Sequence, residues 1–156
     1  MQKPTEKTTG REAEPISESH LDDLIGYHIR RASNIIQADL ARTLKPFDLR
    51  MLTLSALAVI AGNPGLRQSQ LADALEIERP NLVVVVDELE RRELILRERT
   101  PTDRRAYALT PTLAGRTLLN KALKAVQDHE RRLFAGIPDD LKTDIINVMT
   151  KIRNNG

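Results

Sequence analysis

The sequence predicts a mainly α-helical protein with one small β-wing set between helices, and three observations carry that reading. From His20 onward, apolar residues recur at three- and four-residue steps over most of the chain, the period of a helix with one buried face. Between Leu94 and Leu109 the period changes to two, in two short runs around a turn containing Pro and Asp, as antiparallel strands require. The hydrophobic residues, 40% of 156, include two Tyr, two Phe and no Trp. Leu, Ile, Val and Ala must therefore fill the core, which suits helices packed on helices.

Residues 1–19 are polar, with Pro4, Gly10 and Pro15 and no sustained period, and read as a disordered arm. From His20 to Leu44, Leu21, Leu24, Ile25, Ile29, Ile35, Ile36 and Leu40 define a first helix that Ser19 can cap. Asp22 and Asp23 fall in its first turn, where the helix dipole favours them, and Pro46 stops it. A second helix, from about Arg50 to Ala61, is nearly apolar all round and predicted to be buried. Gly62-Asn63-Pro64-Gly65 breaks it, and the segment lacks the length and the Lys of a phosphate-binding loop.

A short helix follows over Gln68–Leu75, with Leu71, Ala72 and Leu75 inward, then a turn at Glu76-Ile77-Glu78. The next helix opens near Arg79-Pro80, proline being favourable at the first helical position, where its missing N–H has no partner to lose. Val83, Val86 and Leu89, with Leu82 and Val85 as further candidates, are expected to face the core. Strands are predicted over Leu94–Arg99 and Arg105–Leu109. A long helix spans Thr112 to about Phe134, with Leu113, Leu118, Leu119, Ala122, Leu123, Val126 and Leu133 on its apolar face. A last one begins at Pro138, with Leu141, Ile145, Ile146, Val148, Met149 and Ile152 on one side. Those six either fill the core of a single chain or meet a second copy. The order of elements is that of a winged helix-turn-helix over about residues 49–110, supported by helices over about 20–45 and 111–153, in one domain from 20 to 156.

Composition narrows the function classes. Cysteine is absent, which excludes disulfides, thiolate metal sites and thiol-based peroxide sensing. His20, His28 and His129 have no metal-ligand spacing, and neither a nucleophile elbow nor a glycine-rich nucleotide loop is present, so neither an enzyme nor a cofactor is expected. No apolar run approaches the roughly 20 residues of a membrane span, and the N-terminal stretch lacks the apolar segment of a secretory signal. The expectation is a cytoplasmic protein with no membrane partner. Net charge is only +2. Its distribution is more informative: between Arg91 and Arg105, Arg91, Arg92, Arg97, Arg99, Arg104 and Arg105 stand against Glu93, Glu98 and Asp103. That concentration is either a nucleic-acid contact or a solvated charged face.

The block LADALEIERPNLVVVVDELERREL and the wing signature DRRAYALTPTLAG, with Asp103, Arg104, Arg105, Leu109, Thr110 and Gly115, resemble the MarR family of bacterial transcription regulators. The resemblance runs over about Leu21 to Ile152. It implies a homodimer that binds a palindromic site in double-stranded DNA, with half-sites one turn (about 34–36 Å) apart, more often as a repressor. Arg104 and Arg105 on the wing turn are placed to reach phosphates or a narrow minor groove, and the resemblance gives Asp103 the task of orienting a neighbouring arginine. Arg79, Asn81 and Val84, near the start of the recognition helix, suit guanine, adenine and a thymine methyl respectively. Ser69 and Gln70 suit phosphates, and Pro80 and Arg99 belong to the same surface.

Two positions depart from the family pattern. Glu93 stands where the family usually has Gly, and because a left-handed backbone is costly for Glu, a differently built junction is expected there. Val83 and Val84 replace residues that are often polar. The family also typically responds to a small aromatic, phenolic or anionic effector. Tyr27, His28, Arg30, Arg31 and Asn34 are candidates to hold one, an arginine pairing with a carboxylate or phosphate. The same residues suit structural hydrogen bonds or dimer salt bridges. The segment YHIRRASN resembles members that respond to hydroxycinnamoyl-CoA thioesters, which makes an aromatic acid or acyl-CoA the expected ligand class.

Overall fold

The computed structural model describes residues 19–100 and 103–155, the side chains of residues 19, 100 and 103–106 excepted. The arm expected over 1–19 thus lies, but for the backbone of Ser19, outside the described residues. The chain divides into two units, residues 1–36 and 37–156.

In the first unit Ser19–Leu21 form a 3-10 turn, and helix α1 (Ile25–Leu44) begins at Ile25 instead of His20. The early start fails because the Asp22 carbonyl is taken by a side chain: the His28 Nε2–H donates to it at 2.8 Å. Asp22 and Asp23 consequently sit in the turn before the helix, not in its first turn, and the side chain of Ser19, the expected cap, lies outside the described residues.

In the second unit α1 ends at buried Leu44, and Pro46 turns the chain through a 3-10 segment, Lys45–Phe47. α2 (Met51–Gly62) follows. It is not buried all round: Thr53, Leu54, Ala56, Leu57 and Ile60 are buried, whereas Met51 and Leu52 are exposed. β1 is the two-residue strand Leu66–Arg67, which sequence periodicity could not register because two residues hold no alternation. α3 (Gln68–Leu75) and α4 (Arg79–Arg91) are joined by a tight turn in which Glu76 takes a left-handed conformation, φ 52°. Pro80 occupies the second helical position, where its missing N–H is equally harmless. Leu82, Val85, Val86 and Leu89 form the buried stripe of α4, and Val83, expected in the core, faces solvent.

β2 (Ile95–Thr100) and β3 (Asp103–Pro111) make the wing, β2 shifted by one residue from the expected Leu94–Arg99 and β3 extending past the expected Arg105–Leu109 at both ends. The antiparallel sheet runs β1-β3-β2, with Leu66 and Arg97 both opposite Leu109, and an irregularity at Arg99/Thr100. α5 (Leu113–Leu133) leaves the sheet through a compact junction. The Thr112 hydroxyl accepts from the Gly115 N–H at 2.9 Å and donates to the Glu93 carbonyl at 2.7 Å, while the Thr112 N–H donates to the Leu94 carbonyl at 3.0 Å. A Cβ on Gly115 would lie 2.0 Å from that Leu94 oxygen, so only glycine lets α5 approach so closely. Thr112 is therefore the residue that caps α5. Leu113, in the first turn and beyond the packed face, is 82% exposed, contrary to expectation. Glu93 does adopt the left-handed conformation, φ 55°, so the junction is built with the strained residue in place. Leu54, Leu57, Ile60, Leu71, Leu82, Leu89, Ile95, Leu109 and Leu119 form one aliphatic core beneath these elements. α6 (Asp139–Asn154) contributes no buried residue to it.

Candidate functional site

The predicted nucleic-acid residues lie on α3, α4 and the wing. Ser69 and Gln70, in the first turn of α3, and Arg79, Pro80, Asn81 and Val84, in the first half of α4, are all exposed. Gln70 already has a structural partner: its Oε1 accepts from the Arg67 N–H at 2.9 Å, closing the start of α3. Only its amide N–H groups are left to turn outward. Arg99 is exposed on β2, opposite Tyr107 of β3. The side chains of Asp103, Arg104 and Arg105 lie outside the described residues, as do Pro101 and Thr102 of the connecting turn.

Two of the arginines counted as wing charge serve as internal struts. Arg97 of β2 is ion-paired with Asp87 and, at 3.0 Å, with Glu90, tying the wing to α4. Arg92 donates to the Phe47 carbonyl at 3.0 Å and the Asp48 carbonyl at 2.5 Å, and lies 3.8 Å from Glu88, fastening the end of α4 to the segment between α1 and α2. Glu88 in turn accepts from Arg50 at 2.7 Å. These contacts fix the orientation of α4 with charge pairs spanning elements distant in sequence, which is why sequence alone could not separate strut from contact. Arg91 and Arg99 remain on the surface.

The expected effector residues gather on the first turns of α1. The Arg30 and Arg31 guanidinium carbons stand 5.6 and 5.7 Å from the centre of the Tyr27 ring, and Arg31 Nη1 donates to the Tyr27 hydroxyl at 2.9 Å. The His28 ring meets Tyr27 edge-on at 5.7 Å. Asn34 is exposed and lies further along the helix. The result is a cationic aromatic cluster whose histidine also has the structural task of bonding the Asp22 carbonyl.

Sequence reasoning missed two features of the second unit. A cleft of about 560 Å³ is lined by Gln37, Leu40, Ala41, Leu49 and Met51, with Lys45, Asp48, Arg50 and Glu88 at its polar edge. The second feature is a buried polar pair between α5 and the latter part of α1. His129 is 2% exposed and holds Asp39 through Nδ1 at 2.9 Å, and its Nε2 is buried without a partner. A hydrogen bond from Arg42, reinforced by the charges of Arg42 and His129, holds the Asp39 carboxyl below its ordinary value. Asp128 is lowered in the same way, chiefly by its hydrogen bond from Lys124. Among the described residues no cluster of His, Asp or Glu is placed to hold a metal, and no helix is long and apolar enough to cross a membrane.

This arrangement of helix pair, wing and flanking helices recurs in known proteins. Residues 47–106, from the end of the 3-10 turn to the wing, match the MarR family. A protein of Thauera aromatica assigned to transcriptional regulation of the hcr operon is 34% identical over 129 residues, 82% of this chain and 78% of the relative. The transcriptional repressor CouR, bound to a 23-mer DNA duplex, superposes with a TM-score of 0.86 at 33% identity, covering 90% of this chain and 99% of CouR. CouR from Rhodococcus jostii RHA1 bound to p-coumaroyl-CoA gives 0.75 at 31% identity, over 87% and 95% of the two chains. With the fold, the helix order and the sequence in agreement, this chain belongs to the MarR family of transcription regulators.

Proposed function

We propose that the protein is a homodimeric repressor that binds a palindromic operator and is released by an aromatic acyl-CoA thioester. The observation that carries this reading is the likeness, over nearly the whole of both chains, to CouR in its complex with duplex DNA. The CouR complex with p-coumaroyl-CoA supports the choice of ligand class. In this layout residues about 49–110 are the DNA-reading domain, the flanking helices over about 20–45 and 111–153 join two copies, and the protein works in the cytoplasm.

The exposed residues Arg79 and Asn81 meet base edges at the N-terminal end of α4, with Ser69, Gln70, Arg99, Arg104 and Arg105 on phosphates and Asp103 steadying its arginine neighbours. Dimerisation uses α6, whose Leu141, Ile145, Met149 and Ile152 recur at helical spacing yet stay 41–49% exposed among the described residues. The Tyr27, His28, Arg30, Arg31 and Asn34 cluster faces the effector, with the guanidinium groups on its phosphates and the tyrosine ring against its aromatic end. An effector shifts the DNA-binding equilibrium only through unequal affinity for the two forms, so it must touch groups that rearrange.

The test is titration of the purified protein on the DNA flanking its own gene, with and without p-coumaroyl-CoA. Specific binding that the thioester abolishes, and that free CoA leaves intact, supports the proposal. Binding equal on scrambled DNA overturns the operator reading, and specific binding indifferent to thioesters and to free aromatic acids overturns the effector.

A further inference from the structure

α4 carries four consecutive valines, and the structure divides them. Val85 and Val86 are buried, whereas Val83 and Val84 are 41% and 62% exposed. Pro80, also exposed, precedes them by three and four positions, so the three side chains share one face in the first half of the helix. A β-branched residue left this exposed on a helix gains only part of the burial that would offset its lost rotamer freedom, so folding alone gives little reason for two of them here. The patch has a polar frame. Arg79 and Asn81 stand exposed beside it, and Asp87, one turn beyond the valines, has its carboxylate engaged by Arg97 of β2.

Resting on the reading of α4 as the helix that enters the major groove, we infer that Val83 and Val84 are specificity-determining residues that recognise thymine 5-methyl groups in each half-site. The 5-methyl group is the apolar feature that a base edge presents in the major groove; the remaining features are donors and acceptors. Side chains with neither donor nor acceptor discriminate there through that methyl. Hydrogen-bonding readers at Arg79 and Asn81 then leave the valines to reject positions where the methyl is missing, because an uncovered valine forfeits its apolar contact. Loss of one buried methyl corresponds to about a fourfold loss of affinity.

The experiment uses the full chain and the duplex it selects from a random-sequence pool. Each thymine is replaced in turn by deoxyuridine, which removes the 5-methyl and keeps every hydrogen-bonding group. The inference predicts one or two positions per half-site at which replacement weakens binding about fourfold, and at which the penalty disappears in Val83→Ala or Val84→Ala. Both variants should retain the thermal stability of the parent, since both side chains are on the surface. Unchanged affinity at every deoxyuridine position, on a duplex the protein still binds specifically, overturns the inference and leaves the regulator reading standing. Penalties that persist undiminished in both alanine variants overturn it as well. Failure to select any sequence at all overturns the regulator reading and this inference together.

Discussion

Arginine is used for two different purposes on the same stretch, and single substitutions separate them. Arg92 bonds two backbone carbonyls and is mostly buried, so Arg92→Ala should lower stability by about 1–3 kcal/mol while leaving the salt dependence of DNA binding unchanged. Arg99→Ala, exposed on β2 and proposed to lie on phosphates, should do the reverse: an unaltered melting temperature, weaker DNA binding, and a salt slope smaller by about 1. Thermal denaturation and binding across a salt series check both. The junction after α4 offers a second contrast. A methyl on Gly115 meets the Leu94 carbonyl, so Gly115→Ala should cost about 2–3 kcal/mol or more. Glu93→Gly relieves a left-handed backbone and should be neutral or stabilising by up to about 1 kcal/mol. Equal melting temperatures for the two variants would contradict this account of the junction. Asp39 carries a pH signature. Its carboxyl is held below the ordinary 3.8, chiefly by Arg42. A lowered folded value means stabilisation that is complete above the unfolded value and lost as pH falls through the folded one. The melting-temperature advantage of the parent over Asp39→Asn should thus be full at pH 7 and shrink below about pH 4.

At the scale of elements, α6 keeps its apolar face partly exposed among the described residues, as the proposed dimer requires. Ile145→Asp with Met149→Asp should leave helix content intact, because neither side chain is buried in the chain, and should shift sedimentation from dimer to monomer. The long helices were legible in the sequence because each repeats its apolar period over several turns, and tertiary packing had little to override. Helix α4 was legible in type but not in phase: in LVVVV the stripe can begin at Leu82 or at Val83, and only the core beneath selects Leu82, Val85, Val86 and Leu89. β1 escaped notice because two residues carry no period. The N-terminal boundary of α1 was misplaced because a histidine side chain captured a backbone carbonyl, a contact invisible to periodicity. Of the candidate site, the sequence made legible the exposure of Arg79, Asn81 and Val84 near the start of α4. The site was illegible where a cross-element partner decided the role, as for Arg92 and Arg97.

For the whole molecule, membership of the MarR family and the likeness to CouR fix what kind of protein this is, while the dimer and its operator are what the account adds. A single winged unit reads a few base pairs; two related by a two-fold axis read a palindrome and gain affinity and specificity from the spacing. The stoichiometry and geometry of the DNA complex test that claim most directly. The measurement is sedimentation of the full chain with its selected duplex, combined with hydroxyl-radical footprinting on the same complex. The account predicts two protomers per duplex and two symmetric major-groove protections about 10–10.5 base pairs apart. One protomer per duplex with a single, unpaired protection would contradict it.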